Sequence, residues 1–420
     1  MAPTKSVNSA GDSESDDLPT AKKMKPDETN SKPLPVKTIR IGSRDSKLAL
    51  IQTDHVISEL RRIHGDETYV FEVLKMKTTG DNQLDTPLSQ IGAKALFTKE
   101  LEEALLTHDI DFIVHSLKDL PTRLPDGCSI GAVLKREDPS DAIVLKSGLT
   151  LANPMDIVTG KYTKASGSSS GPVIGTSSHR RMSQIKGRNP NAIVKDVRGN
   201  LTTRFSKLDG SWTFKEGQEK IYYDCIILAT AGLIRSGLDD RLSMKLNTGC
   251  DWYHAVGQGA LAIEVRSNDE SIQELIQPLI HYDTVCEILA ERRLMCELEG
   301  GCSVPIGVRC DWEQSELKMS GAVFSLDGSQ KVVADSKVIF KELPTTETME
   351  EHLTGGDMKS VTDSKLNLTG LTPPKCPVLL ARYKQCVELG AYLAAQLSTK
   401  GATDILNAIK SSRDNNQSAK

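Results

Sequence analysis

The chain has 420 residues, 26% of them charged, nine cysteines and a formal net charge of −4. That length allows two or three domains with real cores, while the near balance of charge excludes bulk adhesion to nucleic acid or membrane. The cysteines form no CxxC pair, which points to reduced thiols in a cytosolic setting, and no apolar run approaches the ~18 to 20 residues that span a bilayer.

Met1 to Val36 mixes Ser, Asp, Glu, Lys and Pro with almost no large apolar residue, so it is expected to stay outside the fold as a disordered tail. It has no apolar core to serve as a signal peptide, and Asp12, Glu14, Asp16 and Asp17 break the acid-poor rule for transit peptides. Ala21 to Pro26 reads either as a weak nuclear address or, more plainly, as part of a solvated tail.

Folding starts at Lys37 to Gly42, a β run, followed by Ser43-Arg44-Asp45-Ser46 and a helix to about Ile63 with Ala49, Val56, Leu60 and Ile63 on one face. A second β run, Tyr69 to Met76, completes a βαβ unit and predicts a parallel sheet. Ligands of such sheets sit at the strands' carboxyl ends, beside Gly42 to Ser46. Thr78 to Leu96 reads as a long polar loop, either a lid or disordered. A short helix, Lys99 to Thr107, leads into a buried strand, Ile110 to Val114, that delivers His115-Ser116-Leu117-Lys118-Asp119-Leu120-Pro121 at its tip. Lys118 and Asp119 are reacting groups on one reading and a surface ion pair on another.

Asp138 to Leu145 has strand character, and Gly160 to Gly171 looks like a flexible Gly/Ser insertion. Val173-Ile174-Gly175-Thr176-Ser177-Ser178-His179-Arg180-Arg181 then repeats the logic of the first motif: a β run, a glycine, hydroxyl residues, and arginine at a helix start where anions are favoured. Neighbouring arginines on a helix project differently, so Arg180 and Arg181 are expected to hold two separate carboxylates or phosphates. Asn191 to Val197 and Ile226 to Ala229 are further strands, each running on to arginine, at Arg198 and Arg204 and at Arg235. Arg44, Arg180, Arg181, Arg198, Arg204 and Arg235 thus stand at equivalent places and predict a cleft for a multiply charged anion, the guanidinium fork being suited to carboxylate. Aromatics are only 4% and none alternate with these arginines, so no base-stacking platform is visible.

Gly257 to Val265 is a loop feeding a strand that returns to the first sheet, so two α/β domains would be joined by crossing strands and could hinge. A patterned helix, Thr284 to Leu298, starts with a capping-box spacing at Thr284 and Glu287 and ends at Gly300-Gly301. Cys302 follows, before Pro305. Its thiol is read either as accessible on an open turn and able to carry a covalent group, or as an ordinary half-buried cysteine. Strands Ile306 to Trp312, Leu317 to Phe324 and Lys331 to Phe340 and a helix Val378 to Leu397 make a small α+β domain, with 343–375 as an insertion.

The strings IGSRDSKLA, FTKELE, HSLKDLPT, GTSSHRR, VRGNLTTR, ATAGLIR, AVGQGALA and LEGGCSVPIGV occur in this order. Together they make the chain resemble the porphobilinogen deaminase (hydroxymethylbilane synthase) family from about Thr38 to near Ile409. The resemblance implies an α/β fold: two periplasmic-binding-protein-like doubly wound domains joined by hinge strands, plus a small α+β C-terminal domain. On this chain that gives 37–136 plus 257–280 as domain 1, 137–256 as domain 2 and 281–420 as domain 3, after the tail 1–36. It also implies head-to-tail condensation of four porphobilinogen molecules, with loss of ammonia, into hydroxymethylbilane for haem biosynthesis. The primer is a dipyrromethane cofactor held by thioether to Cys302, and no metal is implied. Carried over residue by residue, the catalytic positions are Asp119, Lys118 and Arg44. Cofactor contacts fall on Lys118, Asp119, Ser116, Thr176, Ser177, Ser178, Arg180, Arg181 and Arg204. Substrate contacts fall on Arg44, Ser46, Arg198, Arg204 and Arg235, and Gln258 belongs to the interdomain strand. His179 stands where the family commonly has an apolar residue. A cytoplasmic monomer with porphobilinogen as its small-molecule partner, and no nucleic-acid or membrane partner, is expected. Two rivals are a non-catalytic dicarboxylate- or oxyanion-binding protein of the same fold, and a cysteine hydrolase or acyltransferase using His115, the only histidine near a motif.

Overall fold

Strand β1 (Lys37–Arg44) buries Ile39 and Ile41, and helix α1 (Lys47–His64) returns Val56, Ile57 and Leu60 onto them. Ser46 caps α1 by accepting the Ala49 N–H, and Gly65 ends it at φ 89°. In this computed structural model the described residues are 37–78, 98–163, 171–214, 220–298, 304–340 and 368–418. The N-terminal tail, the loop after Thr78, the centre of the Gly/Ser insertion, most of 343–375 and Cys302 itself lie outside them.

With β2 (Tyr69–Met76), β3 (Phe112–Ser116), β4 (Cys128–Val133) and β10 (Leu261–Arg266), β1 forms a sheet ordered β2-β1-β3-β10-β4. β1 runs parallel to β2 and β3, whereas β10 pairs antiparallel with β3 and β4. Helix α2 (Lys99–Leu106) covers the face opposite α1 with Leu101 and Leu105. The strand expected to return from Gly257 is β10.

The second sheet has the order β7-β6-β8-β5-β9, from β5 (Asp141–Leu145), β6 (Val173–Gly175), β7 (Ile193–Lys195), β8 (Cys225–Ala229) and β9 (Met244–Leu246). Its helices are α3 (Asp156–Thr159), α4 (His179–Arg188), α5 (Leu201–Asp209) and α6 (Thr230–Arg235). One face buries Ile143, Ile174 and Ile227 with Ile157 and Ile185 of α3 and α4. The other buries Val144, Ile226 and Leu228 with Phe205 and Leu233 of α5 and α6. Both sheets are therefore the doubly wound α/β layers expected.

After α7 (Glu270–Ile276) and α8 (Tyr282–Glu297), an antiparallel meander follows: β11 (Ile306–Glu313), β12 (Glu316–Phe324) and β13 (Lys331–Ile339). Helices α8, α9 (Pro377–Thr399) and α10 (Ala402–Ser418) pack on it. α8 and α9 cross at Gly390, where a Cβ would collide with the Ala290 carbonyl.

The start of α8 differs from the capping box read at Thr284 and Glu287. The helix begins two residues earlier, at Tyr282, and the His281 ring caps it by accepting the Thr284 N–H at 3.3 Å. Thr284 Oγ1 accepts the Arg136 backbone N–H at 3.1 Å, and Glu287 accepts from Arg136 and from Trp312. The two residues expected to cap the helix instead bind the segment leaving β4.

Candidate active site

β3 is buried along its length and ends in a single 3-10 turn, Leu117–Asp119. The Leu117 N–H donates to Ala260 O at 3.0 Å, so the turn is tied to the segment entering β10. Gly257 lies against it at φ 71°: a Cβ there would collide with the Leu117 side chain and stand 3.1 Å from the Lys118 nitrogen. Only glycine permits this approach.

Asp119 is exposed, and among the described residues none donates a hydrogen bond to its carboxylate. It shares one cavity with Arg44, Gln52, Thr98, His115 and Ser116. Around it stand cations in excess. Burial lowers the Lys118 ammonium pKa, and Arg181 and Arg204 push the same way against Asp119 and Asp141. Arg204 is pushed down to about 10 by burial, then by Arg181, with Asp119 opposing and Arg198 adding to the fall. Lys207 is lowered by burial and by Arg204 and Arg198. Cations that disfavour one another's charge this way gain from an anion with several carboxylates.

The hydroxyls carried over as ligand contacts already have protein partners. Ser116 Oγ exchanges hydrogen bonds with the Gln52 amide at 2.9 and 3.1 Å. Thr176 Oγ1 accepts the Ser178 N–H, Ser177 Oγ donates to Val197 O, and Ser178 caps α4 as Ser46 caps α1. Arg204 Nε donates to Gly199 O at 2.8 Å, and its guanidinium is coupled electrostatically to Asp119 and Lys118. Arg198 pairs with Asp196 at 3.5 Å. Arg235 turns to the Gly257 loop, donating to Gly259 O at 2.7 Å.

Arg180 and Arg181 require a correction. They do not diverge to hold separate ligand carboxylates; both are buried and converge on one carboxylate, Asp141, at the start of β5. Arg180 Nη1 donates to Asp141 Oδ2 at 2.7 Å and to Tyr253 O at 2.6 Å, while Arg181 Nη2 donates to Asp141 Oδ1 at 2.7 Å and Nη1 to Ile227 O at 2.9 Å. Trp252 Nε1 and Gln258 Nε2 donate to the same carboxylate at 2.7 and 2.8 Å. The physical reason is that α4 packs its first turn inward over β5 and β8, so its arginines face a buried acid. Arg180 is thereby committed to the joint between the sheets, and Arg181 backs the Lys118–Arg204 cluster electrostatically. His179, half-buried at the first position of α4, leaves this arrangement intact.

Asp141 was not singled out from sequence. Its guanidinium partners outweigh its burial and hold its carboxyl far below the usual range. A depressed carboxyl stabilises the fold fully above the unfolded value of 3.8 and loses that contribution as pH falls below it. Asp141→Asn is therefore expected to destabilise by about 3–5 kcal/mol at neutral pH, as for one broken half of a buried pair. That deficit should shrink by about 1.4 kcal/mol per pH unit below the unfolded value of 3.8, as checked by urea midpoints at neutral pH and at a pH below that value.

Arg136 and Glu291 were also missed, for want of any local motif, and Glu287 was read only as a helix cap. Arg136 Nη1 reaches Glu287 at 2.8 Å and Glu291 at 2.7 Å, and its Nε reaches Gln258 O at 2.8 Å. This joins the segments crossing between the first two sheets to α8.

His115, read from sequence as a possible partner for a cysteine nucleophile, is buried and faces a carboxylate. Its Nε2 sits 2.9 Å from Glu264 Oε2 inside the first sheet. The thiol coupled to Glu264, Cys128, is pushed up to about 12 by burial and by the carboxylates Glu264 and Glu102, against any thiolate.

Residues 39–274 match the family model described as "Porphobilinogen deaminase, dipyromethane cofactor binding domain", and residues 285–350 match "Porphobilinogen deaminase, C-terminal domain". The porphobilinogen deaminase of Synechococcus elongatus is 46% identical over 301 residues, covering 72% of this chain and 86% of that protein. That of Neurospora crassa is 43% identical over 320 residues, covering 75% and 89%. That of Yarrowia lipolytica is 44% identical over 297 residues, covering 70% and 81%.

Proposed function

The chain belongs to the porphobilinogen deaminase family, and from that membership we propose which of its residues carry the reaction. It is a transferase that condenses four porphobilinogen molecules head to tail into hydroxymethylbilane, releasing ammonia at each step, in haem and tetrapyrrole biosynthesis. Its cofactor is a dipyrromethane. The donor set fits that group: each pyrrole brings an acetate and a propionate, and Lys118, Arg198 and Arg204 form a cation-rich cluster, backed by the buried Arg181, with Asp119 beside it. When bound, the dipyrromethane supplies the pyrrole carbon from which the chain grows, and Cys302 is the sulfur that tethers it.

The observation that carries the assignment of roles is the exposed Asp119 carboxylate, free of described donors, among those cations. Asp119 holds a pyrrole N–H and stabilises the positive charge that develops as ammonia leaves. It is also the group placed to move protons to the departing amine and from the new bond. Lys118 and Arg204 bind carboxylates beside it, and Arg44, lining the same cavity, receives those of the incoming substrate. Arg198 extends the cationic wall, while Ser46, Ser116, Thr176, Ser177 and Ser178 shape the turns beneath the ligand. Arg180, Gln258 and Arg235 act from the joint between the sheets. A protein that only captured dicarboxylates would need the cations but not the carboxylate.

The same proposal makes the chain three domains, with 37–136 plus 257–280, 137–256 and 281–420 able to move about the crossing segments, and makes it a cytoplasmic monomer. No helix of the described residues is long and apolar enough to cross a membrane, and the eight cysteines among them are free thiols, as a reducing compartment allows. The test is stoichiometry. Porphobilinogen given to the purified protein should release one ammonia per monopyrrole consumed and yield a linear tetrapyrrole. Binding without ammonia release would contradict the assignment.

A further inference from the structure

We propose that Arg292 is a positioning residue for the condensation: from helix α8 it fixes the backbone that follows Asp119. The inference deepens the reading of Asp119 given above and rests on it.

Arg292 lies on α8, wholly buried, and among the described residues no carboxylate pairs with it. Its guanidinium is spent on backbone carbonyls. Nη1 donates to Leu120 O at 3.3 Å, Nη2 to Pro121 O at 2.7 Å, and Nε and Nη2 to Thr369 O at 3.0 and 2.8 Å. Leu120 and Pro121 come directly after Asp119. Thr369 belongs to a strap held on β4, where Ile130 N donates to Gly370 O and Thr372 N to Ile130 O. Burial pushes the Arg292 guanidinium down to about 10 against Cys296 and Glu264. An apolar residue of similar volume would fill the site without that desolvation cost. What only the charged fork can do is bind three carbonyls from two separate segments at once.

The preceding residue of α8 works on the opposite side of the same turn. Glu291 Oε2 accepts the Gly257 N–H at 2.7 Å, and Gly257 is the residue packed against Leu117 and the Lys118 nitrogen. Adjacent residues of one helix thus grip the Lys118–Asp119 turn from both flanks. One helix thereby holds the Lys118–Asp119 turn from both sides, so a shift of α8 carries that turn with it.

The test compares Arg292→Lys with wild type in the full chain. Lysine keeps the charge but cannot span three carbonyls. kcat for tetrapyrrole formation is expected to fall about 100-fold, as for an ångström of misplacement. KM should stay within about threefold and the cofactor adduct should remain in the intact mass. Arg292→Met, which removes the buried charge together with its desolvation cost, serves if the lysine variant does not fold, with the same expectation. Paired with Asp119→Glu, either variant should lose less than the product of the single effects, because each already misplaces the same carboxylate. Multiplicative losses, or a lowered unfolding temperature with wild-type kcat, would overturn the inference and leave Arg292 a structural anchor. Asp119→Ala distinguishes the premise. If that variant turns over normally, the role of Asp119 fails whatever Arg292 does; if it is inactive while Arg292→Lys is not, only the present inference fails.

Discussion

Replacing Asp119 by alanine is expected to slow hydroxymethylbilane formation by about 100- to 10,000-fold, the range for removing an electrostatic stabiliser that also moves protons. The fold should barely notice. Asp119 is exposed and takes no hydrogen bond from the described residues, and substitutions at such positions change stability by about 0.5 kcal/mol or less. Removing it also takes away the charge that partly offsets burial at Lys118 and Arg204. Rate and unfolding temperature measured on one preparation separate the two effects. Turnover near wild type in that variant would remove Asp119 from the mechanism.

Arg136→Ala should cost about 3–5 kcal/mol of stability. The substitution strands Glu291, which is wholly buried, and leaves Glu287 with the Trp312 N–H alone. Burial acts to raise the Glu291 carboxyl, and Arg136, His254 and the Gly257 N–H overcome it, so the net shift is downward. In wild type that contribution is present above the unfolded value of 4.5 and is lost as pH falls through the lower folded value. Without Arg136, burial prevails and the folded carboxyl takes up a proton, so the variant's deficit should be greatest near pH 7 and smaller near pH 4. Urea midpoints at those two values check the sign. A deficit below about 1 kcal/mol at neutral pH would mean that the contact between α8 and the crossing segments is idle.

Much of this architecture was legible in the chain because local signals agreed with the global fold. The β1–α1–β2 unit shows period-two and period-3.6 patterning with a serine cap and a terminal glycine, and β3 delivers Lys118 and Asp119 from a run of apolar residues. What failed was non-local. Adjacent arginines at a helix start look alike whether they face solvent or core. The residue that decides it for Arg180 and Arg181 is Asp141, on another strand with no motif around it. The α8 cap failed for a similar reason: Thr284 and Glu287 have the right spacing but are drawn to Arg136, leaving His281 to cap. Short strands such as β9 (Met244–Leu246) carry too few residues for any period to show. Arg292 gave no signal at all, since its partners are carbonyls, and every residue has one.

The central claim is that Cys302 tethers the primer on which the cation-lined site works. Intact mass of the purified full chain, beside Cys302→Ala, tests it most directly. Wild type should weigh more than its sequence by one dipyrromethane, and the alanine variant should have its bare sequence mass and no turnover. The same adduct on the alanine variant, or full turnover by wild type at bare mass, would contradict it.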